Sequence, residues 1–126
     1  MVVKLTIILI MHLVADFLLQ GSSFSKLKMS KISYLFLHVL IYTAFFIVAS
    51  PLLLSLTFQQ GLIFSGINGG IHLVVDFITS RLKRMFWQKN ESAYIAVVSA
   101  DNLIHVGILI YTYITLFPEA FKVVIN

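Results

Sequence analysis

ISYLFLHVLIYTAFFIVASPLLLSL, residues 32–56, contains no Asp, Glu, Lys or Arg. About 20 mostly apolar residues are enough for a helix to cross the hydrocarbon core of a bilayer. Three further runs of this kind surround it, at about Val2–Gln20, Gln60–Ser80 and Ser92–Phe117. Each is long and lacks the polar–apolar alternation of a barrel strand, so helices are expected. Composition agrees. The chain is 60% hydrophobic and 11% charged, with a mean hydropathy of +0.99. A soluble domain carries about 25% charged residues, so these charges are too few to coat a surface in water. The expected fold is an all-α integral membrane protein with four transmembrane helices, forming a single domain over residues 1–126. Its expected home is the inner (cytoplasmic) membrane, as a multi-pass protein.

The runs differ in detail. Val2–Gln20 lacks the small-residue cleavage pattern of a signal peptide and carries His12 and Asp16, so it reads as retained. Pro51 can kink the second helix or end it early. Gly66, Gly69 and Gly70 give the third helix a small-residue face, which in lipid permits close helix packing. The chain has no cysteine, which excludes disulfides, thiolate metal sites and cysteine nucleophiles together.

The connections set the topology. Lys26, Lys28 and Lys31 lie in the first, and Arg81, Lys83, Arg84 and Lys89 in the third; together these are seven of the nine Lys and Arg residues. The second, around 57–60, carries no charge. Cytoplasmic loops are enriched in Lys and Arg. The first and third connections are therefore expected inside, with both termini outside. The same basic residues are suitable for an anionic lipid or a phosphate-bearing substrate. No nucleic-acid partner is expected. So small a bundle also leaves lateral surface for a homodimer.

The chain repeats itself. His12-Leu13-Val14-Ala15-Asp16-Phe17 returns as His72-Leu73-Val74-Val75-Asp76-Phe77, and the Leu-Ile-Tyr-Thr after His38 returns after His105. Two tandem helical hairpins follow, residues 1–58 and 59–126. They have the same orientation, related by a pseudo-two-fold axis along the membrane normal.

The repeated residues are the unusual ones. All four histidines fall within the apolar runs, as do Asp16, Asp76 and Asp101. A carboxylate near the bilayer centre costs about 2.5–3.5 kcal/mol on insertion scales. Mutual hydrogen bonding or a bound cation must offset that cost. His12 and Asp16 are four apart, as are His72 and Asp76, and Asp101 and His105, so each pair shares a helix face. Helix bundles build metal sites from inward-facing carboxylates and imidazoles. The expected ligands are His12, Asp16, His38, His72, Asp76, Asp101 and His105. The repeat suggests one triad per half, His12–Asp16–His38 and His72–Asp76–His105, with Asp101 extra. The donors suit one or two divalent transition metal ions, zinc first, with iron or manganese as alternatives. Three protein ligands on zinc leave a position for water, whose pKa can fall to about 7. Asp101 is the candidate general base. Asn102 reads equally as a supporting hydrogen bonder and as a link between helices.

The segments Met11–Gln20, Gly70-Ile71-His72-Leu73-Val74-Val75-Asp76 and Asp101-Asn102-Leu103-Ile104-His105 resemble a family of small bacterial membrane proteins, domain of unknown function 3307. That resemblance spans nearly the whole chain and implies no particular activity. More loosely, histidines and aspartates within membrane helices resemble those of membrane-bound metal-dependent hydrolases. This second likeness implies a reaction class only. The leading expectation is a metal-binding membrane protein, a metal-dependent hydrolase acting on a membrane-associated or lipid substrate. Two alternatives stay open: a metal-ion or proton transporter or channel, for which intramembrane Asp and His chains are also typical, and a haem-binding or structural membrane subunit.

Overall fold

The computed structural model describes residues 1–18 and 21–122. The described chain is helical, and no strand occurs among these residues. The elements are α1 (Val2–Leu13), a π-helical turn (Val14–Leu18), α2 (Gly21–Ser30), α3 (Ile32–Leu54), α4 (Phe58–Phe86), α5 (Glu91–Leu116) and α6 (Pro118–Lys122). Three of these, α3, α4 and α5, are long and apolar enough to cross a membrane.

The first apolar run is not one long α-helix. After Leu13 the backbone widens into the π turn, which holds Asp16. Such turns occur mostly as single-turn insertions, frequently at functional sites. The end of the expected run, Leu19 and Gln20, lies outside the described residues. The basic connection that follows is not an open loop but the helix α2, which packs against α3 and α4. Likewise α4 runs on through Arg81, Lys83 and Arg84 to Phe86, leaving only a short turn before α5.

Local chemistry fixes the other ends. Thr57 caps α4: its side chain accepts from the Gln60 amide at 3.2 Å, while the Thr57 amide donates to Gln60 Oε1 at 2.9 Å. This reciprocal pair satisfies two otherwise orphaned donors. Asn90 caps α5 by accepting from the Ala93 amide at 3.1 Å. Pro51 does not end α3, which continues to Leu54.

Helices α1, α3, α4 and α5 form a ring of neighbours, with α4 packed most extensively, between α3 and α5. Two glycines on α4 allow the α3–α4 approach. A Cβ at Gly61 would lie 2.7 Å from Pro51 Cγ, and one at Gly69 would collide with Thr43 Oγ1. Gly66 and Gly70 face open space, so the small-residue face is narrower than the three expected glycines imply. Asn68 fastens α4 to α5 by donating to Thr112 Oγ1 at 2.9 Å.

The interior divides into two zones. Near the α3–α4 turn it is apolar, built on Ile8, Phe46, Leu54, Phe64, Leu109 and Tyr113. The Tyr113 hydroxyl donates to the Leu54 carbonyl there, at 2.8 Å. Toward α2 the interior is polar. His12, Asp16, Lys28, His38, His72, Asp76, Lys83, Asp101 and His105 are all buried. Meanwhile Leu18, Leu52 and Leu103 are each at least 74% exposed. Water would favour the reverse arrangement; an apolar surround favours this one.

Candidate metal centre

The seven expected site residues arrive on four stretches of the ring. α1 and its π turn supply His12 and Asp16, α3 supplies His38, α4 supplies His72 and Asp76, and α5 supplies Asp101 and His105. All seven side chains converge in the polar zone. Their donor atoms form two groups, one drawn from both halves of the sequence and one from the second half alone.

The first group is Asp16, His38, His72 and Asp76, each offering one atom, all within 4.8 Å of one another. His38 Nε2 stands 2.8 Å from His72 Nε2, 3.0 Å from Asp16 Oδ1 and 3.0 Å from Asp76 Oδ2. His72 Nε2 stands 3.4 Å from Asp76 Oδ2 and 3.9 Å from Asp16 Oδ1. A ring nitrogen carries at most one hydrogen. His38 Nε2 can therefore satisfy only one of the three lone-pair atoms around it. In a dry interior the remainder repel unless other hydrogens or a positive charge lie among them, and the Lys28 ammonium, 2.9 Å from Asp76 Oδ2, brings both. The spacing fits a cation: four ligands at about 2.0–2.2 Å in a tetrahedron lie about 3.4 Å apart.

The second group is Asp76, Asp101 and His105. His105 Nδ1 donates to the Asp101 carbonyl at 2.8 Å. That bond fixes the tautomer and leaves Nε2 with a lone pair. His105 Nε2 has no hydrogen-bond partner and faces Asp76 Oδ1, itself without one, across 3.5 Å. Asp76 is thus common to both groups, Oδ2 toward the first and Oδ1 toward the second.

Asp101 is held by others. Its Oδ1 accepts from Thr79 Oγ1 at 2.8 Å, and its Oδ2 is paired with the Lys83 ammonium. His12 lies outside both groups. Its Nδ1 is 3.2 Å from the Tyr42 hydroxyl and its Nε2 is 3.3 Å from Asn102 Oδ1. The Asn102 amide nitrogen donates to the Val98 carbonyl, so Oδ1 is the atom turned to His12. With Nε2–H donating to Asn102 and Nδ1 accepting from Tyr42, His12 has no lone pair left for an ion.

Two lysines complete the zone. Lys28 Nζ lies 2.9 Å from Asp76 Oδ2, 3.3 Å from His38 Nε2 and 4.0 Å from Asp16 Oδ1. Burial works against the ammonium charge, but Asp76 and Asp16 outweigh it and raise the Lys28 pKa above the usual lysine value. Lys28 and Lys83 read from sequence as topology signals or as a seat for an anionic lipid or phosphate, not as partners of the buried carboxylates. For Lys83 a stronger signal was present: with His72, Asp76 and Thr79 it forms an i, i+4, i+7, i+11 stripe on one face of α4. Tyr42 stacks on His72 with centroids 4.0 Å apart. A cavity of about 70 Å³ opens beside the groups, lined by Asp16, Lys28, Lys83, Tyr94, Asp101 and Asn102. At roughly 10–15 Å³ per water it has room for more than one.

Residues 4–125 match the model of a family described as protein of unknown function (DUF3307), and the chain belongs to that family. No curated protein and no solved structure matches it.

Proposed function

We propose that this chain is a four-span inner-membrane protein that holds divalent metal between its helices and uses it to hydrolyse a membrane-associated substrate. One observation carries the reading: Asp16, His38, His72 and Asp76, all buried, each bring one ligand atom to within 4.8 Å of the other three. Two imidazoles and two carboxylates suit zinc, iron or manganese. The second group, Asp76, Asp101 and His105, offers three residues, which leaves a position for water or substrate. With Asp76 common to both groups, these residues would hold one or two ions, and a pair would supply positive charge to both oxygens of a displacement.

A bound ion would supply Lewis acidity. The chain's own residues would do the rest. Water enters by the cavity beside Asp16 and Asp101. Asp101, on the cavity wall, takes a proton as the water oxygen bonds to the ester centre. The bond from that centre to the ester oxygen then breaks, and the oxygen leaves with the proton that Asp101 returns. His12, Tyr42 and Asn102 hold the surroundings in place.

In this reading α1 with its π turn is the first span, and the two hairpins are the halves of a parallel repeat. His12 and Asp16 correspond to His72 and Asp76. The basic residues of α2 and the end of α4 lie on the cytoplasmic side, by the positive-inside tendency.

A second reading has its own support. The ammonium groups of Lys28 and Lys83 already pair with Asp76 and Asp101, as they would in a purely structural polar core. Elemental analysis of detergent-purified protein separates the two readings. The metal reading expects one or two ions per wild-type chain, and a clear loss in His38→Ala and His72→Ala. Folded protein that stays metal-free after incubation with zinc, iron and manganese supports the structural core instead.

A further inference from the structure

Two features meet on the α3–α4 seam, and α2 links them to a third. The first is an apolar groove of about 420 Å³, walled by Leu35 and Phe36 of α3 and by Val74, Phe77 and Ile78 of α4. The second is a pocket of about 80 Å³ whose charged lining is entirely positive, made by Lys28, Lys31, Arg81 and Arg84. They share Ile32 and Leu35, so they are continuous. The third is the polar cavity beside the metal-binding groups, which Lys28 also lines.

Three of the four charges of the middle pocket are uncompensated. Among the described residues Lys31, Arg81 and Arg84 make no ion pair, whereas Lys28 and Lys83 do. Arg81 is pinned at the junction. Its guanidinium donates to the Phe77 carbonyl at 2.8 Å and lies 3.4 Å from the centroid of the Phe77 ring. One face of Phe77 thus joins the apolar wall to the basic one. A ligand matching this sequence needs a hydrocarbon tail, then an anionic group at its end.

We propose that the groove and the basic pocket together bind one anionic glycerophospholipid, an acyl chain along Phe36, Val74 and Ile78 and the phosphate among Lys31, Arg81 and Arg84. The occupant follows from charge complementarity: an apolar groove alone would take any tail, but three unpaired cations at its mouth select a phosphate. The proposal deepens the hydrolytic reading, on which it rests for any chemistry, by naming the substrate class. The phosphate would sit beside Lys28, whose ammonium also touches Asp76. Binding itself needs no metal, so the two readings can fail separately.

The test uses the full chain in neutral detergent, with lipid adducts read by native mass spectrometry. Phosphatidylglycerol is the probe, phosphatidylcholine the zwitterionic control and glycerol 3-phosphate the control without a tail. Arg81 and Arg84 are exposed, as is Val74, so substitutions there spare the interior. The expected result is a phosphatidylglycerol adduct that phosphatidylcholine does not match. Arg81→Gln with Arg84→Gln should weaken it about tenfold or more. Val74→Trp, which fills the groove, should weaken it too. Metal content should stay at the wild-type value in both variants. Equal binding of phosphatidylcholine, full displacement by glycerol 3-phosphate, or indifference to Val74→Trp would each overturn the proposal. Selective binding by a metal-free chain would leave the lipid site standing and remove the hydrolase. A loaded metal centre without lipid selectivity would do the opposite.

Discussion

His105 Nε2 and Asp76 Oδ1 face one another across 3.5 Å of buried interior, and neither has a hydrogen-bond partner. The other oxygen of Asp76 lies 3.0 Å from His38 Nε2. One carboxylate therefore joins two sets of donors that come from the π turn, α3, α4 and α5.

Asp76→Asn should be the most damaging single change in the centre. It removes a donor from both groups and leaves Lys28 buried without its nearest counter-charge. Breaking a buried ion pair costs about 3–5 kcal/mol. Elemental analysis should show the loss of all bound metal, whereas Asp101→Asn should remove at most one ion. Equal metal content in Asp76→Asn and wild type would refute the bridging role.

Lys28→Met should separate the ammonium from the ion. The lysine nitrogen stands 2.9 Å from Asp76 Oδ2, against an oxygen that a cation would also need. Without it, the metal-free protein should melt lower, because Asp16 and Asp76 lose a counter-charge. The rise in melting temperature on adding zinc should be larger than in wild type, since binding stabilises in proportion to affinity and concentration. A smaller rise would mean that Lys28 supports the ion.

His12→Gln should keep its metal. The imidazole is occupied by Tyr42 and Asn102, and glutamine retains a donor and an acceptor. His38→Gln should instead lose at least one ion per chain. The comparison is metal per chain at matched purity. If His12→Gln empties the site as fully as His38→Gln, His12 belongs among the ligands.

Gly69→Ala should destabilise by about 1–3 kcal/mol, the usual cost of overpacking, because the new methyl would collide with Thr43 on α3. Gly66→Ala and Gly70→Ala meet nothing. They should be neutral or stabilising by up to about 1 kcal/mol, from helix propensity. Thermal unfolding in one detergent ranks the three. A similar loss at all three positions would contradict the packing.

The helical class and the polar centre were both legible before any coordinates. Long uncharged runs have few alternatives, and Asp or His within them is costly enough to demand a reason. The i, i+4 spacings of His72 with Asp76 and of Asp101 with His105 set each pair side by side, whereas the π turn intervenes between His12 and Asp16. What they could not convey is which faces meet. Donors from opposite halves group together because the ring sets α3 beside α4, and His38 therefore meets His72 and Asp76. Lys28 was hidden for another reason. A lysine just outside an apolar run normally marks topology, and only the folding of its segment into α2, back against α3 and α4, carries it inward. The π turn had no signature that periodicity could detect, since one widened turn hardly disturbs an apolar run.

The length of α4 has a consequence for sidedness. Asp76 stands 18 residues after Phe58, or about 27 Å along the axis at 1.5 Å per residue. A hydrocarbon core is about 30 Å thick. If α4 enters the core near Phe58, the centre lies close to the far boundary rather than at the midplane. Lipids of that leaflet would meet it with their headgroups at the right depth. Lipids of the opposite leaflet would have to flip first, so the two leaflets could not be served equally.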